Sequence, residues 1–319
     1  MTKSILSESQ FHNEEAAYKF VEARVWPNGP VCPHCGCFER VGKMGGKSTR
    51  IGTYKCYDCR KPFTVKVGTI FESSPLPLRL WLQAIFLIAS SKKGVSANQL
   101  HRTLGVTLKT AWFMGHRIRE AMKPDGLEVF GKGGGTVEVD ETFIGNDRTK
   151  KPKGAKKGRG YEHKNKVLAL VDRSTGRSRS LVVDNLKSMT LIPILRENIA
   201  REARIMTDEA NQYFYLRQYF SGHGIVKHMH GEYVSRLDSA IHTNTIEGFF
   251  SIFKRGMKGV YQHCGHHHLN RYLAEFDFRY SNRVALGVND KERADKLLSG
   301  VVGKRLTYQT TRARGTVAE

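Results

Sequence analysis

The sequence predicts a mixed α/β protein: a mixed sheet flanked by helices, preceded by a small cysteine-bearing β module and a helical segment. Three observations support this fold class. Five of the six cysteines fall between residues 32 and 59. Helical apolar periodicity dominates from about residue 75 to 125. Beyond that, β-branched runs typical of strands are followed by alternating helical and strand patterns, the runs being 136–144, 166–173 and 178–184.

Changes in composition divide the chain into four segments. The Gly-rich stretch GKGGG, which begins at residue 131, is typical of a boundary between two of them. The segments are 1–72 with the cysteines, 73–130 with the helices, 131–288 with the mixed sheet and a basic insertion at 146–166, and 289–319 with a C-terminal helix and tail.

The charge balance indicates the partner. The 319 residues carry 52 Lys and Arg against 30 Asp and Glu, a formal net charge of +22. Such a field attracts a polyanion, which favours nucleic acid over an anionic membrane surface. No stretch approaches the 18 apolar residues of a membrane span, and no signal peptide is evident. We therefore expect a soluble, cytoplasmic protein with no membrane partner.

The cysteines form a doubled C-x2-C pattern. Cys32 and Cys35 are separated by twenty residues from Cys56 and Cys59. Each pair fits a tight turn that points two thiolates at one tetrahedral Zn²⁺, and four thiolates leave no open position for catalysis. The alternative is four free buried cysteines. We predict a structural zinc site, with Cys37 as a bystander.

Two helices joined by a short turn at Gly105 and Val106 are predicted between residues 96 and 122. This helix-turn-helix pattern predicts a second helix that presents Lys109, Arg117 and Arg119 outward to DNA. The alternative is a plain helical hairpin that links two domains.

The insertion at 146–166 carries nine Lys or Arg and two acidic residues. Such blocks repel themselves and are usually solvated. Because the whole chain already calls for a polyanion, we prefer a DNA-contacting segment. Its candidate contacts are Lys150, Lys151, Lys156, Lys157 and Arg159.

Two aspartates occupy strand positions where a carboxylate needs a partner. In TVEVDETFI, alternation places Asp140 on the face opposite Val137 and Val139, and charge inside a sheet is costly without a partner. Asp208 follows ARIMT at the C-terminal end of a strand, where ligands gather in open α/β sheets. Its alternative role is an N-cap for the next helix.

The stretch HTNTIEGFFSIFKRG, residues 242–256, offers two explanations for one carboxylate. Asn244 followed by Glu247 is a helix-capping pattern. Helical angles, however, place Glu247 and Lys254 within about 20° of each other. Both lie at the border of an apolar face formed by Ile246, Phe249, Phe250, Phe253 and Met257.

Asp140, Asp208 and Glu247 together would build a hard oxygen site. Such a site suits two Mg²⁺ or Mn²⁺ ions, which activate a nucleophile and stabilise the leaving oxygen of a phosphodiester. Lys254 would then contact a phosphate as a point charge. This chemistry suits a strongly basic protein.

VDETFIG, TDEANQY and HTNTIEGFFSIFKRG resemble the three catalytic blocks of bacterial insertion-sequence transposases of the DDE superfamily. The similar type carries a zinc ribbon and a helix-turn-helix before an RNase H-like domain. The resemblance implies cleavage at the 3′ ends of a mobile element and transfer of the 3′-OH into target DNA. It further implies double-stranded DNA as substrate, a homo-oligomer on paired ends at the nucleoid, and no small-molecule substrate.

Carried over residue by residue, the resemblance makes Asp140 and Asp208 the first two metal ligands and Glu247 the third. Lys254 is the downstream basic residue, and Arg255 beside it is a candidate DNA contact. Because some relatives carry Asn in place of the third acid, Asn244 is either a helix cap or a ligand in its own right.

Three alternatives stay open. A non-enzymatic transcription regulator would use the same N-terminal modules without metal chemistry. A structure-selective nuclease would cut DNA without joining it. The stretch QHCGHHH, with His263, His266, His267 and His268 beside Cys264, is either a metal cluster or, as we prefer, a polar turn between two helices.

Overall fold

The computed structural model describes residues 3–126, 128–146, 163–228, 231–236 and 238–307. Contacts divide the chain into two compact units. The first comprises residues up to 91, 95–122 and 290 onward, and the second comprises 92–94 and 123–289. The predicted DNA contacts in the basic insertion lie outside the described residues: Lys150, Lys151, Lys156, Lys157 and Arg159.

The first unit combines a three-stranded antiparallel sheet with helices. Its elements are α1 (Glu14–Val25), β1 (Val41–Lys43), β2 (Tyr54–Cys56), β3 (Pro62–Phe63), α2 (Leu78–Ser90), α3 (Ala97–Leu104), α4 (Leu108–Ala121) and α8 (Asp290–Ser299). The Glu14 carboxylate accepts the backbone N–H groups of Leu78 at 2.6 Å and Arg79 at 3.1 Å. It thereby satisfies donors that the start of α2 leaves without helical partners.

Helices α3 and α4 are joined by the predicted turn. Gly105 ends α3 with φ +65°, a conformation that glycine adopts without strain, and the Thr107 side chain accepts the N–H of Thr110 to begin α4. The two predicted helices are therefore confirmed, whichever partner they bind.

The prediction that Arg117 and Arg119 point outward is wrong. Their side chains are only 6% and 4% exposed. Arg117 donates hydrogen bonds to the carbonyl oxygens of Ile70, Glu72 and Leu306, all within the first unit. Because both side chains are buried, neither guanidinium is presented to DNA. Lys109 is exposed, as predicted.

The second unit is built on a five-stranded mixed sheet, which confirms the predicted fold class. Its strands are β4 (Thr136–Ile144), β5 (Asn165–Asp172), β6 (Ser178–Val183), β7 (Arg204–Asp208) and β8 (Gly222–Val226). The spatial order is β6-β5-β4-β7-β8. Strands β4, β5 and β6 pair antiparallel, whereas β7 runs parallel to β4 and to β8.

Helices α5 (Ser188–Asn198), α6 (Asn244–Gly256) and α7 (Leu269–Ser281) complete the second unit. A π-helical turn, Met257–Tyr261, prolongs α6. A 3₁₀ helix, Asn211–Gln218, follows β7. Among the helices of the described ranges, none has the length and apolar character that a membrane crossing requires.

The two faces of the sheet bury separate cores. Val137 and Val139 pack with α5 and the 3₁₀ helix on one face. The predicted apolar face of α6 packs with α7 on the other, through Ile246, Phe249, Phe250, Phe253 and Met257. Side chains alternate along a strand, so Glu138 and Asp140 lie on the α6 side of β4. The predicted alternation thus brings Asp140 to the helix that carries Glu247.

Candidate functional site

The four predicted zinc ligands lie together in the first unit. The Sγ atoms of Cys32 and Cys59 are 3.6 Å apart, as are those of Cys35 and Cys56, and all four lie within 4.8 Å of one another. Tetrahedral Zn²⁺ with bonds of about 2.3 Å requires sulfur separations of about 3.8 Å, whereas a disulfide needs about 2 Å. The cluster therefore fits one structural zinc ion.

Tight turns in the backbone aim these thiols. The N–H of Cys32 donates to the carbonyl of Cys37, and Gly36 adopts φ +78° between them. At the other turn, the backbone N–H groups of Cys59 and Asp58 lower the pKa of the Cys56 thiol to about 7. Against a hydrogen bond from the N–H of Cys37, burial and the other three clustered thiols raise the pKa of Cys35 to about 12, as expected when close thiols cannot all ionise without a cation. Cys37 is not part of the cluster, as predicted.

Asp140 and Asp208 lie at the same edge of the sheet in the second unit. Pairing between β4 and β7 ends at Glu138 and Met206, and each aspartate lies two residues beyond that pair. Because the two strands are parallel, both carboxylates are at the carboxyl edge. The N-cap of the following 3₁₀ helix is Ala210, so Asp208 is not the cap considered as its alternative role.

Burial and mutual repulsion dominate the electrostatics of this pair. Burial, together with the carboxylates of Glu141 and Asp208, raises the pKa of Asp140 to about 7, against a hydrogen bond from the N–H of Glu141 and the charge of Lys254. Burial likewise raises the pKa of Asp208, against a hydrogen bond from the N–H of Ala210 and the charge of His228. The edge therefore concentrates negative charge that a cation would stabilise.

Helix α6 contributes the remaining predicted groups. The ammonium group of Lys254 acts on Asp140, and it also lies 5.6 Å from the ring centroid of Phe250. The carboxylate of Glu247 is 43% exposed and lies 3.6 Å from Nε2 of His228. Thus Asp208 and Lys254 both act electrostatically on Asp140, whereas Glu247 is connected to Asp208 through the imidazole of His228.

The capping interpretation of Asn244 and Glu247 is wrong. The N-cap of α6 is Thr243, and Asn244 is the first helical residue with an exposed side chain. A backbone N–H group at the start of the helix is instead satisfied by strand β4, since Oε2 of Glu138 accepts the N–H of Ile246 at 2.8 Å. Glu247 is therefore not needed as a cap.

Glu141, beside Asp140, points to the opposite face of the sheet. Its Oε1 accepts from Nε2 of Gln212 at 2.5 Å, and its Oε2 accepts from the hydroxyl of Tyr213. These bonds attach the 3₁₀ helix that follows Asp208 to the strand that carries Asp140. Glu141 thus holds the two strand ends together rather than facing α6.

The histidine-rich stretch has a structural role in the connection between α6 and α7. Nδ1 of His266 lies 2.7 Å from Oδ1 of Asn165, which ties the stretch to the start of β5. Within the described residues, the four zinc-binding cysteines are the one group of three or more ligands close enough to hold a metal.

Arg255, predicted to contact DNA, is exposed on α6 and donates to Ser251.

Sequence reasoning missed three residues around the site: Glu138, Glu141 and His228. Period-2 alternation could have found Glu138, since it shares a face with Asp140. No short-range pattern marks His228, because its neighbours in the site come from β7 and α6. Its role depends on the tertiary arrangement alone.

Two family models match the chain. One, described as a transposase zinc-ribbon domain, covers residues 12–62, and one, described as an ISXO2-like transposase domain, covers residues 132–281. A similar protein from Halobacterium salinarum, an uncharacterized protein in transposable element ISH50, is 27% identical over 287 residues, covering 84% of this chain and 91% of that protein. The chain therefore belongs to the insertion-sequence transposases, enzymes that bind, cut and transfer DNA.

Proposed function

We propose that this transposase cleaves the 3′ ends of a mobile element and transfers each 3′-OH into target DNA by divalent-metal chemistry. One observation carries the proposal: Asp140 and Asp208 lie side by side at the carboxyl edge of a mixed sheet, facing the helix that bears Glu247 and Lys254. The five-stranded mixed sheet supports the RNase H-like interpretation of this unit.

The donor set fits a hard divalent cation. Carboxylate oxygens are the ligands that Mg²⁺ and Mn²⁺ prefer, and the pKa of Asp140, raised by burial and by nearby carboxylates to about 7, shows that its ionised form would gain from a bound cation. Two such ions, when bound, would activate the attacking hydroxyl and stabilise the leaving oxygen. Asp140, Asp208 and Glu247 would hold them after moving closer together around the ions, since the three carboxylates do not by themselves form a group as close as the four cysteines.

The residues of the chain would orient the DNA. Lys254, close enough to act on Asp140, would bind a non-bridging oxygen of the scissile phosphate. Arg255, exposed one residue further along α6, would contact a flanking phosphate. Asn244, exposed in the first turn of α6, lies one turn before Glu247 and is a second candidate for the third ligand position.

His228 joins this proposed site. Its Nε2 lies 3.6 Å from Glu247 and 3.4 Å from the hydroxyl of Thr243, and its charge acts on Asp208. We assign it the task of orienting the Glu247 carboxylate towards the pair of aspartates.

The zinc module and the α3–α4 pair are the proposed readers of the element ends. The zinc cluster rigidifies the small sheet, and Lys109 is an exposed lysine near the start of α4. Lys150, Lys151, Lys156, Lys157 and Arg159 extend the proposed DNA surface on the ground of charge alone. Assembly as a homo-oligomer on paired ends belongs to the same proposal.

The test combines DNA that flanks the coding region with a plasmid target. Labelled duplexes from each flank are incubated with the zinc-loaded protein, the plasmid and Mg²⁺ or Mn²⁺. The proposal predicts a 3′ nick and a labelled product joined to the plasmid. Cutting without joining would favour the structure-selective nuclease, and neither product, with specific binding intact, would favour the regulator.

Single substitutions then assign the residues. Asp140→Asn, Asp208→Asn and Glu247→Gln should each abolish both products and leave DNA binding intact. Asp184→Asn is the matched control, because Asp184 is an exposed aspartate just beyond the end of β6. If Glu247→Gln keeps full activity and Asn244→Ala loses it, Asn244 rather than Glu247 is the third metal ligand.

A further inference from the structure

We infer that Glu138 is a positioning residue that sets the distance between Asp140 and the start of α6. The inference rests on the proposed function, because it concerns how the two halves of the carboxylate site are held in register. Glu138 does not face the proposed substrate: its carboxylate is fully buried, with 0% of its surface exposed.

The buried carboxylate is surrounded by donors. Its Oε1 accepts from Nε of Arg173 at 2.6 Å and from the hydroxyl of Thr245 at 2.7 Å. Its Oε2 accepts the N–H of Ile246 at 2.8 Å. Nδ1 of His242 accepts from Nη2 of Arg173 at 2.9 Å and lies 3.4 Å from Oε1 without donating to it. A charge this deep is tolerated only when it is paired and hydrogen-bonded, and here both oxygens are engaged.

Two of these donors, the hydroxyl of Thr245 and the N–H of Ile246, belong to the first turn of α6. The hydroxyl of the Thr243 N-cap accepts no backbone N–H of the helix, so the Glu138 carboxylate on β4 takes over the capping role. A carboxylate at this end of a helix is also favoured by the helix dipole. The start of α6 is thus attached to β4 by a charged group rather than by apolar packing alone.

Arg173 reinforces the attachment. Besides Glu138, its guanidinium donates to the carbonyl oxygens of Ala240 and His242, both at 2.6 Å. Arg173 itself follows β5 directly, where the Asp172 carboxylate accepts the N–H groups of Gly131 and Ser174. Glu138 and Arg173 therefore hold residues 240–246 against the edge of two strands.

The consequence for the site is geometric. Asp140 is two residues from Glu138 along β4, about 7 Å, and Glu247 is the residue after Ile246. The path from Asp140 to Glu247 thus runs through two residues of strand, one hydrogen bond of 2.8 Å and one residue of helix. A shift of about 1 Å in catalytic groups costs rate, so loosening Glu138 should loosen the site.

The alternative is a polar network that stabilises the fold and nothing more. Mn²⁺ binding, followed by electron paramagnetic resonance on the zinc-loaded protein without DNA, separates the two. Glu138→Gln should weaken Mn²⁺ binding by about tenfold or more, as expected for loss of a supporting contact. Thr245→Val removes one hydrogen bond to Glu138 and should weaken Mn²⁺ binding less. This variant also provides a second test if Glu138→Gln does not fold.

The matched control is Asp277→Asn. Asp277 also accepts several bonds, from the side chains of Ser178 and Ser180 and the N–H of Ser180, but it faces β6. Its loss should lower the melting temperature without changing Mn²⁺ affinity. Unchanged Mn²⁺ affinity in Glu138→Gln and Thr245→Val would overturn the inference. Unchanged affinity in Asp140→Asn would instead overturn the proposed metal site.

Discussion

The imidazole of His228 lies 3.6 Å from the carboxylate of Glu247 and acts electrostatically on Asp208. It therefore connects the strand and helix portions of the site. His228→Gln should lower the cleavage rate about 10- to 100-fold, the usual effect of losing a group that orients a ligand. DNA affinity should not change. Single-turnover cleavage in saturating Mn²⁺ measures this effect, and His263→Gln, at an exposed histidine of the α6–α7 connection, is the control.

The zinc cluster gives a prediction about stoichiometry. Cys56→Ser removes one of the four clustered thiols and should abolish stable zinc binding, since three thiolates leave an open position. Cys37→Ser should retain one zinc per chain, because Cys37 lies outside the cluster. Elemental analysis after gel filtration measures the ratio. Loss of zinc in Cys37→Ser with retention in Cys56→Ser would contradict the assignment.

Arg117 should act through stability. Arg117→Met removes the donors that bind the carbonyls of Ile70, Glu72 and Leu306 and leaves these oxygens unpaired. Each lost bond to a charged group costs about 1.5 to 3 kcal/mol, so the first unit should melt at a clearly lower temperature. Arg102→Met, at an exposed position of α3, should melt like the unchanged protein.

Lys109 should act through DNA. Replacing it with alanine should lower the slope of log affinity against log salt concentration by about 0.9, the value for one phosphate contact. Fluorescence anisotropy with a labelled duplex over a series of salt concentrations measures the slope. An unchanged slope would exclude Lys109 from the interface.

His223 should make stability depend on pH. Burial lowers its pKa from 6.5 to about 4, while its Nε2 lies 2.8 Å from the hydroxyl of Thr207. Between pH 6.5 and pH 4 the unfolded chain takes up a proton at His223, whereas the folded state keeps the imidazole neutral. The free energy of unfolding is therefore highest above pH 6.5 and falls as the pH decreases towards 4. The loss amounts to about 3 kcal/mol at most.

Urea unfolding between pH 7.5 and 5 measures this dependence. His223→Gln should flatten the fall in unfolding free energy relative to the unchanged protein. Parallel curves for the two proteins would show that His223 does not carry the effect.

Local patterns were sufficient for part of the structure. Alternation over TVEVDETFI predicts a strand that the structure places at Thr136–Ile144, and the C-x2-C spacing predicts the four clustered thiols. Both depend on the period of one element or on one tight turn. Asp208 at the end of its strand follows from the same kind of signal.

Long-range contacts explain the rest. The cap of α6 comes from Glu138, more than 100 positions earlier in the chain, so the Asn244–Glu247 pattern was misleading. Arg117 was predicted to be exposed because it is charged. Its side chain is instead buried, where it donates to carbonyl oxygens distant in sequence. Strand β8, Gly222–Val226, has two glycines and forms because β7 offers an open edge.

Iron-directed cleavage of the polypeptide tests most directly whether Asp140, Asp208 and α6 form one metal site. The zinc-loaded protein is incubated with Fe²⁺ in place of Mg²⁺, together with ascorbate and peroxide, and the chain breaks are mapped by mass spectrometry. Breaks close to residues 140, 208 and 247 are expected, and they should disappear in Asp140→Asn. Breaks confined to the histidine stretch at 263–268, or identical breaks in Asp140→Asn, would contradict this expectation.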